Sequence, residues 1–239
     1  MFMYLFETHM HTSEVSPCAR VPAAEMVGLY REAGYSGILV TDHLYQPILD
    51  SFECTGWRST VDRYLLGYRL AKEAGEQTGM TVLLGAELLP DGGANEYLLF
   101  GLTEAFLYRN EGICQYDLVR IREACTEAGI LIYQAHPYRP DMTRAVPGFL
   151  DGVEVYNACP RHDSRNELAL AYAKNNHLGM SSGSDAHRPE DVGRGGLRTP
   201  ERITNLDQLK NVLQSGEAEL IRAPEDEPKK RFRLFGRKK

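Results

Sequence analysis

Three consecutive stretches decide the fold: Met3-Tyr4-Leu5-Phe6-Glu7-Thr8-His9, then Pro22 to Ala33 closed by Gly34, then Ser36-Gly37-Ile38-Leu39-Val40-Thr41-Asp42-His43. The outer two are short apolar runs that end in polar residues, and the middle one has a helical pattern with a glycine stop. A strand, a helix and a second strand in that order predict a parallel pair joined by a crossover. The rhythm recurs. Strand-like runs also occupy Thr81 to Leu88, Glu96 to Leu102, Gly129 to His136, Gly152 to Asn157 and Gly179 to Asp185, with helix-like stretches at Thr60 to Gln77, Gln115 to Ala128, Ser164 to Asn176 and Leu206 to Gln214. No strand is followed by G-x-G-x-x-G or G-x-x-x-x-G-K-[ST], and polar residues stand at many strand exits rather than at one crevice. A closed, TIM-like α/β barrel of parallel strands is therefore expected over a doubly wound sheet. The reading is a single domain over 1–223 and a flexible basic tail over 224–239.

The 239 residues carry 27 Lys+Arg and 33 Asp+Glu, a formal charge of −6, with 43% apolar and 25% charged residues. These are globular values, which exclude a disordered or collagen-like chain. No run approaches the ~18 apolar residues of a membrane-spanning helix, and Met1 to Phe6 is too short for a secretory core, so a cytoplasmic protein is expected. Cys18, Cys54, Cys114, Cys125 and Cys159 contain no C-x-x-C pair, which argues against a disulfide framework or zinc ribbon and for mostly buried thiols. Seven of the last eleven residues, Lys229 to Lys239, are Lys or Arg. The remaining body is acidic, so contact with nucleic acid or an anionic membrane is expected only from this tail, aided by Phe232, Leu234 and Phe235, or from a local patch.

Five of the seven histidines, His9, His11, His43, His136 and His187, stand at or just past strand ends. Parallel barrel strands bring those ends to one face. The period of two in His9-x-His11 puts both rings on one side, and Asp185-x-His187 repeats the spacing with a carboxylate first. Of Asp42 and His43 only one can look inward, and His43 is the candidate. Glu87 adds a carboxylate able to bridge two cations. So many imidazoles and carboxylates at one face are costly unless they bind something, and their types suit first-row divalent metals. Cations roughly 3.5–4 Å apart activate water and neutralise a leaving oxygen, so no Ser or Cys nucleophile is required. Arg139, Arg161 and Arg188 follow strands five, six and seven and are candidate phosphate clamps, since a guanidinium fork can bond two oxygens at once. His162 is a further candidate for substrate contact, whereas His177, at a helix end, is read as structural.

The ordered set H-x-H (His9, His11), T-D-H (His43), G-x-E (Glu87), A-H-P (His136) and G-S-D-A-H (Asp185, His187) resembles the PHP (polymerase and histidinol phosphatase) family over roughly Met3 to Arg202. The resemblance implies a distorted (β/α)7 barrel with two or three zinc, manganese or iron ions that hydrolyses phosphate esters. Carried over, His9, His11, Glu87 and Asp185 hold one metal, Glu87 and His136 a second, and His43 with His187 a third. The implied substrate is a small phosphorylated metabolite or a nucleotide, with no stable protein partner. Two departures stand out. Many members have a His on the fourth strand where this chain reads Tyr97 to Leu102, and many have an Asp or His where it has Ser16 and Pro17. Glu14 is the nearest substitute ligand for the second. The alternatives are a non-catalytic binding module with a degenerate cluster and a barrel amidohydrolase. The latter often needs a strand-end lysine, whereas Lys72, Lys174 and Lys210 all fall in helical stretches.

Overall fold

The alternation of side chains along each strand sorts the apolar residues into two populations, and that sorting shapes the molecule. The computed structural model describes residues 2–90 and 92–223, so the expected tail over 224–239 lies outside the described residues. In chain order the elements are β1 (Tyr4–Met10), α1 (Ala23–Glu32), β2 (Tyr35–Val40), β3 (His43–Tyr45), α2 (Gln46–Ser51), α3 (Trp57–Tyr64), α4 (Leu66–Thr78), β4 (Thr81–Leu84) and β5 (Ala86–Leu89). There follow β6 (Tyr97–Phe100), α5 (Glu104–Arg109), α6 (Leu118–Ala128), β7 (Leu131–Gln134), β8 (Gly152–Asn157), α7 (Asn166–Asn175), β9 (Gly179–Gly183), β10 (Gly196–Thr199), α8 (Leu206–Ser215) and β11 (Glu219–Ile221). On β2, Ile38 and Val40 pack outward on Met26, Val27 and Tyr30 of α1. Their neighbour Leu39 turns the other way, joining Phe6, Leu83, Leu98, Phe100 and Tyr133 in a separate cluster against Leu209 and Leu213 of α8. On β6 and β7, Tyr97, Leu99 and Ile132 face a third cluster with Phe106, Leu107 and Ile121. Strands buried on both faces need continuous apolar runs, which is why the sequence shows them.

The strands form two mixed sheets, ordered β11-β10-β1-β2-β4 and β3-β5-β6-β7-β8-β9. The α/β class stands, but the strands are not all parallel. The Glu96 to Leu102 run forms β6, antiparallel to both β5 and β7. Only seven residues, 90–96, separate β5 from β6, and a parallel crossover needs a dozen or more. β10 and β11 pair antiparallel on the edge of β1. The two sheets meet at two seams. Gly85 N–H donates to Val40 O (2.9 Å) and Glu87 N–H to Asp42 O (3.2 Å), carrying the β2/β4 ladder into β3/β5. At the other side His11 N–H donates to Ala186 O (3.0 Å) and Ala186 N–H to His9 O (3.3 Å). Among the described residues no helix is long and apolar enough to cross a membrane.

Candidate metal centre

Five strand ends deliver the expected residues to one place. β1 runs out through His9 to His11, with ring centroids 5.1 Å apart. β3 opens on His43, β5 carries Glu87, His136 follows β7, and Asp185 and His187 follow β9. All but the half-buried His187 are buried. Glu87 lies at the middle: His43 Nδ1 is 2.7 Å, His136 Nε2 3.0 Å, His9 Nε2 3.3 Å and His11 Nε2 3.6 Å from its oxygens. Asp185 Oδ1 closes the other side, 3.3 Å from His11 Nε2, 3.4 Å from His187 Nδ1 and 3.5 Å from His9 Nε2. His9 Nε2, His11 Nε2 and His43 Nδ1 are buried and, although each lies within ion-pair reach of Glu87, none makes an aligned hydrogen bond. Buried polar atoms are nearly always bonded, so three bare nitrogens around two carboxylates fit a cation. Ligand atoms of His9, His11 and Glu87, of His9, His136 and Asp185, and of His11, His43 and His187 each lie within 4.8 Å of one another.

Charge follows from the same packing. Burial alone would raise Glu87, but His9, with His136 and His43, holds its carboxyl well below the usual range. Asp185 behaves alike, with His9 and Arg139 overcoming burial. Burial pushes His11 well below its ordinary value, with His43 and His187 adding to it, so its ring is neutral and offers a lone pair.

A second set of residues sets the orientation. His9 Nδ1 lies 2.8 Å from Glu154 Oε1, while Glu154 Oε2 accepts from His136 N–H (3.1 Å) and Asn157 Nδ2 (2.9 Å). A carboxylate behind the ring holds the proton on Nδ1 and leaves Nε2 free to ligate. Below it, Glu7 accepts from the N–H groups of Thr8 (2.9 Å), His9 (3.0 Å) and Ser184 (2.9 Å), from Tyr30 OH (2.8 Å) and from Ser184 Oγ (2.5 Å), tying the exit of β1 to that of β9. Burial lifts the Glu7 carboxyl to about 7 despite these bonds. His136 (φ 27°) and Asp185 (φ 49°) both sit in the left-handed region, a strain that non-glycine residues hold only where surroundings over-determine it.

The remaining candidates separate. Asp42 faces away from the cluster and accepts from Thr12 N–H (2.7 Å), Thr12 Oγ1 (2.7 Å) and Ser16 Oγ (2.8 Å), fixing the loop over 12–18. Glu14 is not at the cluster: its carboxylate accepts from Ala23 N–H (3.1 and 3.0 Å) and caps α1. Arg139, Arg161, Arg188 and His162 all line the cleft of about 270 Å³ above the cluster. Arg139 bonds Asp185 and Asn157 Oδ1 (2.7 Å), and Arg161 forks onto Asp191 (2.6 and 2.7 Å). Among the described residues, the ion pair of Arg188 is with Glu190 at 3.8 Å. Glu96 was not anticipated, yet its carboxylate is 3.4 Å from His136 and accepts from Tyr45 OH, and it groups with His43 and Glu87. Strand polarity hid it, because an antiparallel strand presents its first residues to the face where its neighbours present their last. Glu154 was also missed, although an acid between two valines in a buried run was a readable signal.

Comparison with known proteins points the same way. Residues 163–218 match the family model for PHP-associated domains, PHP_C. That segment of the chain is similar to the PHP family. A curated relative, the uncharacterized protein MJ0417 of Methanocaldococcus jannaschii, is 30% identical over 156 residues, covering 58% of this chain and 62% of that protein. The chain thus spans less than two thirds of that relative's length. Among solved structures it is similar to a two-domain Bacteroides vulgatus protein described as containing a "predicted PHP-like metal-dependent phosphoesterase", with TM-score 0.67, 18% identity, and coverage of 93% of this chain and 65% of that one. It is equally similar to PsfC from Pseudomonas syringae, with TM-score 0.67, 18% identity, and 94% and 93% coverage.

Proposed function

We propose that this chain is a PHP-type protein that holds two or three divalent cations and hydrolyses a phosphate ester of a small metabolite or nucleotide. The observation that carries the reading is the convergence of the bare nitrogens of His9, His11 and His43 on Glu87 and Asp185. On this reading the two seams complete a distorted (β/α)7 barrel. His9, His11, Glu87 and Asp185 would hold one ion, Glu87 and His136 with Glu96 a second, and His43 with His187 a third. Bound there, such cations supply Lewis acidity to phosphoryl oxygens and hydroxide at neutral pH.

The chain's own residues do the rest. Glu154 keeps the His9 proton on Nδ1. Arg139 neutralises the outer oxygen of Asp185 and keeps that carboxylate fixed. Arg161 anchors Asp191, which accepts from the backbone N–H groups of His187 and Arg188 (2.9 Å each) and so sets the rim. Arg188, the least engaged of the three arginines, is the clamp available to an incoming phosphate. A cleft of about 270 Å³ is below the roughly 300–1,000 Å³ of drug-sized pockets, which favours a compact head group. Among the described residues no lysine lines the cleft as an amidohydrolase bridge would; Lys210, for one, bonds Gly129 O at 3.1 Å.

The test is hydrolysis of an aryl phosphate by purified protein, after chelation and after each of zinc, manganese and iron is restored. Activity should vanish with chelator and return with metal, and His9→Ala and Asp185→Ala should be inactive while folded. Full activity in either variant would reject the site.

A further inference from the structure

The cluster has a corner that the ligand set above leaves incomplete. His11, His43 and His187 each offer a ring nitrogen within 4.8 Å of the others, and His11 Nε2, fully buried, has no hydrogen-bond partner. The loop over 12–18, fixed from below by Asp42, carries Cys18 over this corner. Cys18 Sγ stands 3.2 Å from His43 Nε2, and both line the cleft together with His187. Cys18 is exposed and lines the cleft, whereas Cys114 and Cys125 are buried in the apolar core. Zinc binds nitrogen at ~2.0–2.1 Å and thiolate sulfur at ~2.3 Å, so two such ligands on one tetrahedral ion lie about 3.5 Å apart. The observed Sγ to Nε2 separation is close to that, and the imidazole of His187 lines the same part of the cleft.

We propose that Cys18 is a thiolate ligand which, with His43 and His187, makes this corner a site for a borderline-soft divalent cation, zinc foremost. Binding breaks the S–H bond, releases the proton to solvent and forms a sulfur–metal bond. Sulfur among imidazoles selects zinc over manganese or magnesium, which prefer oxygen. The proposal rests on the metal-cluster reading, and its test separates the two.

Metal-free full-length protein is titrated with cobalt(II). Wild type should develop a near-ultraviolet thiolate-to-cobalt charge-transfer band; Cys18→Ser should lose the band and bind one ion fewer, and Cys54→Ser should keep both. In parallel, alkylation by iodoacetamide, mapped by peptide mass, should modify Cys18 in metal-free protein and spare it once zinc is added. Cobalt binding to wild type without that band, or an unchanged band and stoichiometry in Cys18→Ser, overturns the thiolate ligand and leaves the cluster standing. Failure of wild type to bind any cobalt overturns both.

Discussion

Glu87 touches four imidazoles, against three for Asp185. Glu87→Gln keeps its volume and removes its charge, so metal content should drop by elemental analysis and aryl-phosphate hydrolysis should fall to the level of chelated protein, with circular dichroism unchanged. Glu154 acts one layer out. Removing the carboxylate behind a ligating imidazole typically costs 10–100-fold in metal affinity, so Glu154→Gln should weaken binding by about that factor in a metal titration. An unchanged affinity would assign Glu154 to structure alone. Most of the seven residues read as ligands were legible because strand-end histidines are rare and their spacing has a period of two. Glu154, Glu96 and Cys18 were not, since an acid within or before a strand and a cysteine in a loop look ordinary until the chain is folded.

At the scale of elements, the turn after β1 depends on close packing against α4. A Cβ on Gly67 would meet Thr12 Oγ1 at 2.1 Å and Asp42 Oδ2 at 2.7 Å. Overpacking of this kind costs about 1–3 kcal/mol, so Gly67→Ala should lower the denaturation midpoint and disturb the loop that carries Cys18. Glu14 offers a contrast: losing its cap on α1 should cost about 1 kcal/mol, and Glu14→Ala should be less stable in urea yet bind the same number of ions. The strand and helix rhythm was readable because strands buried on both faces are apolar throughout. Strand direction was not. Nothing in Tyr97 to Leu102 distinguishes a parallel strand from an antiparallel one; only the shortness of 90–96 does so. β10 and β11 escaped because strands of four and three residues on a sheet edge carry little pattern.

For the whole molecule, buried carboxylates and imidazoles couple folding to metal. An ion present at 100 times its Kd contributes about 2.7 kcal/mol of stability, and each kcal/mol moves the melting temperature of a chain of this size by about 2–4 °C. Calorimetry should therefore show a transition several degrees lower in chelator, restored by added zinc. Equal transitions in both conditions would separate folding from the cluster.

The two ends of the cluster differ in composition, with Glu96 beside His136 at one end, His11 and His187 at the other, and Glu87 and His43 between them. A site so lopsided has no reason to fill with a single element. Protein prepared from cells grown in different media would carry different mixtures, and one bulk metal ratio would average over several populations. Its apparent taste in metals would then record the history of the culture as much as the chemistry of the chain.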